Sequence, residues 1–293
     1  MTNASENFGV SAYDIATLDK IPVIKRLMLN EGEGLALDIG IGTGYTTHSV
    51  FGDRPTACVD LHAPNLDYYR SRASNDDSSN TLCVVAPAAA LPFQTGVFRF
   101  ILCSEVLEHL EDDDAAVSEI ARVLADDGKA VITVPYTGLG FTGFLELFGI
   151  KTVHDFPGPE RHVRPGYDER SLQELLARHG LEMEHHAYYL RLFTKLAVDL
   201  VSLAHLVYQR MIHRRRAWTW SDAAEAEGGR AFKAFRLVFP FLQAFSRLDR
   251  MLGRFRGFGL VVEVRKRQSS VNETLDFQRS DMTIYFKSVK ETN

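Results

Sequence analysis

Three glycines at alternate positions, Gly40, Gly42 and Gly44, follow a short apolar run that starts at Leu35. Glycine accepts positive φ and lets the backbone approach a ligand closely, and the free N–H groups at the start of a helix attract negative charge. A strand, this loop and a helix that begins near Thr46 would form a cradle for a nucleotide-like ligand. The alternative is an ordinary glycine turn between a strand and a helix.

Two carboxylates flank this loop. Asp38 lies directly before it, and Asp60 ends the next apolar run, at the distance where an acidic residue meets ribose hydroxyls in nucleotide-binding βαβ units. The dinucleotide pattern G-x-G-x-x-G would need a glycine where this chain has Tyr45. The spacing therefore favours a ribose-containing ligand other than a dinucleotide, while a helix-capping role is the alternative for Asp60.

A second group of chemically active side chains follows the apolar run Val97–Cys103. Glu105, Glu108 and His109 form an E-x-x-E-H cluster, and His154 and His162 come later in the chain. Imidazole titrates near neutral pH, so these histidines are candidate general bases for a hydroxyl acceptor. A structural role is the alternative for a lone histidine after a strand.

Short apolar runs alternate with helical patterns and supply the elements that position these residues. Because ligands of an open α/β sheet sit at the carboxyl ends of its strands, we expect Ser104, Glu105 and Tyr136 to lie together there. One helical stripe passes through Val117, Ile120 and Leu124 and is predicted to end at Gly128. The predicted strands are 35–39, Thr56–Asp60, Thr81–Val85, Val97–Cys103, Ala130–Val134, Leu181–Tyr189 and Gly259–Val264.

About seventy residues separate the sixth and seventh predicted strands. They contain two apolar helical segments, roughly 190–212 and 231–252, joined by a stretch with Arg214–Arg216, Trp218 and Trp220. Basic clusters, tryptophans and amphipathic helices are what a membrane-surface element needs. The alternative is a helical hairpin that packs on its own domain or on a dimer partner.

Bulk composition limits the remaining possibilities. The chain has 293 residues, 45% of them hydrophobic and 24% charged, as in a globular protein with one enlarged domain. Residues 1–187 hold 14 Lys/Arg against 28 Asp/Glu, whereas residues 188–267 hold 16 against 6. Such a split indicates a surface that meets a membrane or nucleic acid. The polar first nine residues do not suggest a signal peptide, and no apolar run is long enough to span a bilayer.

The three cysteines, Cys58, Cys83 and Cys103, each lie in a strand-like apolar run, and none forms a C-x-x-C pair. We expect buried thiols in a reducing compartment, hence a cytoplasmic protein, with the helical segments as a candidate membrane-contact element.

Four motifs in order resemble those of class I S-adenosylmethionine-dependent methyltransferases, within them the type 11 family of ubiquinone/menaquinone-biosynthesis-like proteins. They are D-x-G-x-G-x-G at 38–44, Val-Asp at 59–60, Ala-Pro-Ala-Ala-Ala-Leu-Pro-Phe at 86–93 and Ser-Glu-Val-Leu-Glu-His-Leu at 104–110. Two positions depart from the pattern, because Pro87 and Arg99 stand where the family usually has Asp.

The resemblance implies a Rossmann-like α/β fold: a seven-stranded, mostly parallel sheet with helices on both faces, an antiparallel last strand and a helical insertion before it. It implies an N-terminal helical lid (1–34), a cofactor-binding domain (35–189 with 258–267), the insertion (190–257) and a polar tail (268–293). It also implies that S-adenosylmethionine is bound by Asp38, Gly40, Ile41, Gly42, Gly44, Asp60, Leu61, Ala88, Ser104 and Glu105.

By this resemblance we expect methyl transfer to a small-molecule or lipid-linked acceptor, by O- or C-methylation, with His109, His162 and Tyr136 as catalytic candidates. In some relatives, similar E-x-x-E-H residues bind a divalent metal; we assign no metal here. One alternative is a metal-dependent RNA 2′-O-methyltransferase, although nucleic acid is not the expected partner because stacking aromatics and a basic groove are not evident. Another is a degenerate cofactor-binding scaffold. The oligomeric state stays open.

Overall fold

The computed structural model describes residues 8, 12–28, 32–73, 81–139, 143–150, 162–211, 230–253 and 255–267. His154, Arg214–Arg216, Trp218, Trp220 and the tail 268–293 lie outside these ranges.

Seven strands form one sheet in the order β3-β2-β1-β4-β5-β7-β6. β1 to β5 are parallel, and β7 lies antiparallel between β5 and β6. This arrangement confirms the predicted Rossmann-like sheet. The strands are β1 (Ala36–Ile39), β2 (Thr56–Asp60), β3 (Thr81–Val85), β4 (Phe98–Ser104), β5 (Leu124–Pro135), β6 (Leu181–Tyr189) and β7 (Gly259–Lys266).

Seven α-helices and three short 3₁₀ turns accompany the sheet within the described ranges. The helices are α1 (Ile15–Met28), α2 (Tyr45–Phe51), α3 (Ala63–Ala73), α4 (Asp113–Val123), α5 (Glu169–Ala177), α6 (Leu192–Met211) and α7 (Arg230–Ser246). The 3₁₀ turns are Leu107–His109, Glu146–Phe148 and Arg247–Leu252.

The stripe through Val117 and Ile120 folds as α4, but the prediction that it continues to Gly128 is wrong. Leu124 adopts an extended backbone, with φ −67° and ψ 133°, and pairs with Phe98 of β4. Leu124 is also buried in the core, as a residue of the sheet and not of the helix. β5 is therefore longer at its start than the run Ala130–Val134 indicated.

α1 packs across the sheet. Ile24, Leu27 and Met28 share a core cluster with residues of α2, β4, β5 and β7, and Lys129 Nζ donates to the Leu27 carbonyl at 2.7 Å. The helix continues through Pro22. Its middle turn brings Lys20 to the carboxyl end of β4, where the candidate site lies.

All three cysteines lie in strands, as predicted, and all three are free thiols. Cys58 and Cys103 are buried and Cys83 is half-buried, so the expectation of full burial holds for two of the three. Among the helices that the structure describes, none is both long and apolar enough to cross a membrane.

Candidate cofactor and active site

Strand register brings the loop, Asp60 and Ser104 together. Ile39 at the end of β1 pairs with Val59 of β2 and with Cys103 of β4. The residues that follow these strands therefore leave the sheet side by side, at its carboxyl edge. The sequence prediction for this part of the site agrees with the topology.

The glycine loop has positive φ at all three glycines: +74° at Gly40, +54° at Gly42 and +75° at Gly44. A Cβ on Gly44 would overlap the Tyr69 ring, and one on Gly40 would overlap Val106. A Cβ on Gly42 would meet nothing within 4 Å. The outer glycines thus serve packing, whereas Gly42 presents its backbone to open space that a ligand can fill.

Asp60 is buried at the end of β2 and holds the loop. Its Oδ2 accepts from the Gly42 N–H at 3.2 Å and from Asn65 Nδ2 at 3.1 Å, and its Oδ1 accepts from the His62 N–H at 2.8 Å. A carboxylate oxygen accepts about two hydrogen bonds. Oδ1 therefore keeps capacity for a ligand hydroxyl beside the open space at Gly42.

Asp38 is a buried carboxyl with one incompletely satisfied oxygen. Its Oδ2 accepts from the Thr47 hydroxyl, while its Oδ1 has no hydrogen-bond partner among the residues that the structure describes. The pKa of Asp38 is raised to about 7, because burial and, to a smaller extent, the charge of Asp60 outweigh the Thr47 hydrogen bond, which lowers it. Burial of a carboxylate without a partner is unfavourable in free energy. The Oδ1 atom is therefore a candidate to bind a cationic group of a ligand.

Glu105 begins the turn after β4 with a positive φ of +56°, unusual for a residue with a side chain. Its Oε1 accepts from Thr133 Oγ1 at 2.7 Å and from the Tyr189 hydroxyl at 2.5 Å, while Lys20 Nζ donates to Ser104 Oγ at 2.9 Å. Burial acts to raise the pKa of Glu105, but the Lys20 charge and these hydrogen bonds outweigh it, and the pKa is lowered. Glu105 is therefore an anion in a fixed position.

Glu108, His109 and His162 form a second cluster next to this turn. Their candidate ligand atoms all lie within 4.8 Å of one another, and the two imidazole rings meet edge-on with centroids 4.8 Å apart. Glu108 is fully buried, and neither of its carboxyl oxygens has a hydrogen-bond partner in the described part of the chain. Burial, and then the charge of Glu105, raise the pKa of Glu108 well above its ordinary value. These three residues could hold a metal ion or handle a proton.

Tyr136, the third catalytic candidate, lies in a different cluster. Its hydroxyl donates to the Glu169 carboxylate at 3.0 and 3.1 Å, the Tyr188 hydroxyl donates to the same group, and the two rings meet edge-on. Its backbone forms a bridge to Tyr167. The structure thus brings the two histidines together and places the hydroxyl of Tyr136 with Glu169; a catalytic role for it stays a prediction.

Three other predicted cofactor contacts differ in exposure. Leu61 is exposed just after Asp60, whereas the Ile41 side chain packs into a core cluster and its N–H bonds to the Val59 carbonyl at 3.3 Å. Ala88 is half-buried in the turn that the Ala90 N–H closes onto the Pro87 carbonyl at 3.0 Å. Any cofactor contact by Ile41 would therefore involve its backbone.

Comparison with known proteins identifies the domain that carries this site. Residues 37–132 match the family model described as a methyltransferase domain. This stretch is a methyltransferase domain. Domains of this class use S-adenosylmethionine, and the residues present fit that cofactor: open space at Gly42, acceptor capacity on Asp60 and the unpaired buried oxygen of Asp38.

Two curated relatives share part of the chain. A malonyl-[acyl-carrier protein] O-methyltransferase of Geobacter sulfurreducens is 33% identical over 41% of this chain and 47% of its own length. The ubiquinone/menaquinone biosynthesis C-methyltransferase UbiE of Citrifermentans bemidjiense is 27% identical over 37% of this chain and 48% of its own length. The chain therefore spans about half the length of the curated relatives it matches.

A solved structure supports the fold over a longer part of the chain. Phosphoethanolamine N-methyltransferase 2 of Haemonchus contortus, in complex with S-adenosyl-L-methionine, has a TM-score of 0.55. The match has 16% identity and covers 85% of this chain and 52% of that one. At this identity the similarity concerns the fold.

Several residues of the methyltransferase domain's site were missed from the sequence. Thr47 bonds Asp38, and Lys20, Thr133 and Tyr189 surround Ser104 and Glu105. The one available signal was a lysine among the apolar positions of α1. The contacts from Lys20 to Ser104 and from Tyr189 to Glu105 each join residues 84 positions apart, so no local pattern could predict them.

Arg99, the second departure from the family pattern, lies away from the site. It stands near the start of β4, where its N–H bonds the Leu35 carbonyl and its guanidinium lies 3.2 Å from the Asp127 carboxylate. The candidate site is at the opposite, carboxyl end of this strand. The substitution at Arg99 therefore does not touch the cradle.

Proposed function

We propose that this chain transfers the methyl group of S-adenosylmethionine to a small-molecule or lipid-linked acceptor, at an oxygen or a carbon atom. The observation that carries the proposal is the cradle formed by Gly42, Asp60 and Asp38 at the carboxyl ends of β1 and β2. It offers an open backbone surface, an acceptor for ribose hydroxyls and a buried oxygen without a partner.

The bound cofactor supplies a methyl group on a sulfonium, activated for in-line displacement. Asp60 Oδ1 would accept from a ribose hydroxyl, and Asp38 Oδ1 would accept from the ammonium group. The backbone N–H of Ala88 would hold an adenine ring nitrogen, since Pro87 has no N–H and no side-chain acceptor. Ser104 and Glu105 would lie beside the methionine part, fixed by Lys20, Thr133 and Tyr189. Positioning of donor and acceptor then supplies much of the acceleration.

For a hydroxyl acceptor, the proton would pass to an imidazole nitrogen of His109 or His162. The two rings are in contact and lie next to the buried Glu108 carboxyl, with His109 Nε2 4.0 Å from Glu108 Oε1. A nearby carboxyl can orient an imidazole. We expect His162→Ala to lower kcat on the order of a hundredfold, as is typical of general-base loss, with little change in cofactor affinity.

The relatives support the acceptor class. One is named for an acceptor on an acyl-carrier protein, the other for quinone biosynthesis, and their names specify O- and C-methyl transfer. We propose that this chain likewise takes an apolar or carrier-linked acceptor, delivered near the insertion 190–257. The tests are a labelled methyl-transfer assay on lipid and water-soluble extracts and the His162→Ala variant on the acceptor so found.

Calorimetric titration with S-adenosylmethionine tests the cofactor site. We expect micromolar binding by the full chain and at least about a hundredfold weaker binding by Asp60→Ala, because a carboxylate that bonds ligand and loop is lost. Asp67→Ala, an exposed carboxylate on α3, is the matched control and should bind normally. Absence of S-adenosylmethionine binding by the unaltered chain would contradict the proposed cofactor site.

A metal-dependent RNA 2′-O-methyltransferase is the second candidate. It is favoured by the convergence of Glu108, His109 and His162, a mixed carboxylate and imidazole set that suits Mn²⁺ or a similar divalent ion. Loss of transfer to RNA with EDTA and its restoration by Mn²⁺ or Mg²⁺ would establish it. His185→Ala is the control, because His185 belongs to a second acidic cluster whose Glu263 already pairs with Lys129 and Arg265.

A cofactor-binding scaffold without transfer activity is a third candidate, motivated by Pro87. Tight binding of S-adenosylmethionine together with no labelled product from any lipid, small-molecule or RNA fraction would favour it. Arg99, the other departure from the family pattern, lies away from the site and therefore does not support this candidate.

A further inference from the structure

α6 carries an apolar row on its exposed side. Its leucine and valine row, Leu192, Leu196, Leu200, Leu203 and Val207, points outward with between 37% and 58% of each side chain exposed. Helices of globular proteins normally bury such a row against the core. This apolar row is therefore a face of α6 that the described part of the chain leaves largely uncovered.

The side of α6 that faces the protein carries polar groups beside Ala197, Val198 and Val201, which pack in a cluster with Ile15 and Phe239. Thr194, Lys195 and Asp199 are buried, with Lys195 Nζ 2.5 Å from Asp199 Oδ1. Asp199 also accepts from the Phe144 N–H at 2.9 Å. This arrangement does not stabilise the isolated protein in water. Burial of an ion pair costs desolvation free energy, and the exposed leucines do not gain the free energy of apolar burial.

α7 and the turn Arg247–Leu252 extend this uncovered surface. Inward, Phe235, Phe239 and Leu242 pack with α1 and α6. Outward, Leu237 and Phe241 are each 76% exposed and Met251 is 82% exposed. Single exposed apolar side chains are common, but two adjacent helices that both expose an apolar row form a patch.

The charges around this patch are positive. Lys233, Arg236 and Arg247 are exposed, and the exposed Arg256 lies 3.6 Å from the Glu169 carboxylate. The acidic residues that the structure describes between 190 and 258, Asp199 and Asp249, are both buried. Asp249 is used inside the fold, where it accepts from the Phe193 and Thr194 N–H groups at 2.8 and 2.9 Å and caps the start of α6.

We propose that the outward rows of α6, α7 and the Arg247–Leu252 turn form a lipid-contact face that lies on an anionic bilayer surface. Apolar side chains would enter the acyl boundary while lysine and arginine pair with negative headgroups. The helices lie on the bilayer, because no described helix can span it. A second copy of the chain fits less well, since self-association would place positive surface against positive surface. The inference holds whether or not methyl transfer takes place.

Vesicle flotation of the full chain tests the lipid-contact face. We use vesicles of phosphatidylcholine with 30% phosphatidylglycerol and vesicles of phosphatidylcholine alone. We expect the chain to float with the anionic vesicles, and at least tenfold less of it to float with the neutral ones or in high salt. Flotation on neither vesicle, or equally on both in high salt, overturns the proposal.

Paired variants assign the binding to this face. Leu237→Gln with Phe241→Gln should reduce flotation at least tenfold, and Arg236→Glu with Arg247→Glu should reduce it on anionic vesicles. Leu82→Gln is the control and should float normally, because Leu82 is a 59% exposed apolar side chain on β3, at the far edge of the sheet. Circular dichroism and calorimetry with S-adenosylmethionine confirm that each variant is folded.

Two outcomes would contradict the lipid-contact face. Normal flotation of the Leu237→Gln, Phe241→Gln variant would place the membrane contact elsewhere. A dimer in light scattering that this variant converts to a monomer, with no flotation of the unaltered chain, would make a second copy the occupant. Because cofactor binding is measured separately, neither result bears on the proposed reaction.

Discussion

At the carboxyl ends of β1, β2 and β4 this chain buries Asp38, Asp60 and Glu108, whereas on α6 and α7 it exposes leucine, phenylalanine and valine. The first region places ionisable groups where water is scarce, and the second places apolar surface where water is abundant. Neither arrangement favours the stability of the isolated chain. Each becomes favourable when a counterpart is added: a cationic ligand at the cradle and an apolar medium at the helices.

The two regions differ in how the fold supports them. The cradle is fixed by strand register, positive φ glycines and hydrogen bonds from Asp60 to the loop. The helices of the lipid-contact face are held on the protein by contacts on their inner side. These contacts involve Asp249, Lys195 and the ring of Phe239. Substitutions in the cradle should therefore lower the free energy of unfolding more than substitutions on the outer face do.

Gly44→Ala should have the largest effect on stability. Its Cβ would overlap the Tyr69 ring at a φ of +75°, so we expect a loss of about 3 kcal/mol in the free energy of unfolding. Gly180→Ala has a similar φ of +70° in open space and should cost about 1 kcal/mol. Urea unfolding of both variants measures the difference, and equal losses would show that the Tyr69 contact does not matter.

Gly42→Ala separates ligand approach from folding. Since a Cβ there meets nothing within 4 Å, the variant should lose only about 1 kcal/mol of stability. Its affinity for S-adenosylmethionine should fall by about tenfold or more, because the methyl group occupies the space that the ligand needs. Gly96→Ala, at φ +70° in open space, is the control and should bind normally. Unchanged affinity of Gly42→Ala would place the ligand elsewhere.

Asp38 should make cofactor affinity depend on pH. With a pKa of about 7, raised mainly by burial, it is mostly protonated at pH 6 and ionised at pH 8. If the ionised form binds the cofactor ammonium, affinity should be about tenfold weaker at pH 6 than at pH 8. Calorimetry at both values measures this, and Asp38→Asn should bind weakly at both.

The same pKa predicts the stability of the unliganded chain. Because the folded-state pKa is above the ordinary value of 3.8, the stabilisation linked to protonated Asp38 is complete below that value. It is lost as the pH rises towards 7, where the buried carboxyl ionises. A flat affinity profile together with this stability change would mean that Asp38 titrates without binding the cofactor.

Leu200→Gln should have the smallest effect. Its side chain is 58% exposed, so we expect a change within about 0.5 kcal/mol in the free energy of unfolding. Ala197→Gln on the inner side of α6 should cost at least about 2 kcal/mol, because Ala197 is buried against Ile15 and Phe239. Thermal unfolding without lipid measures both. A large loss for Leu200→Gln would mean that the outer row supports the fold.

The sequence alone determined the cradle and the sheet around it. Gly40, Gly42, Gly44 and Asp60 follow one another at fixed short spacings, and apolar runs separated by helical patterns specify a parallel sheet. These features are local, and the carboxyl ends of neighbouring parallel strands must meet. The same locality explains why the end of α4 was misplaced: an apolar periodicity that includes Leu124 fits a helix and a strand equally well.

Only the tertiary structure decided which groups meet across the chain and which face of a helix is covered. Tyr189 reaches Glu105 and Lys20 reaches Ser104 over 84 positions, and such pairings leave no trace in local spacing. The apolar residues of α6 recur at helical spacing, but burial depends on the neighbours that the fold supplies. Here the neighbours cover the side with Thr194, Lys195 and Ala197 and leave the leucine row exposed. Apolar residues at helical spacing predict a helix face that is stabilised by an apolar neighbour. The packing of the rest of the chain decides whether that neighbour belongs to the protein itself.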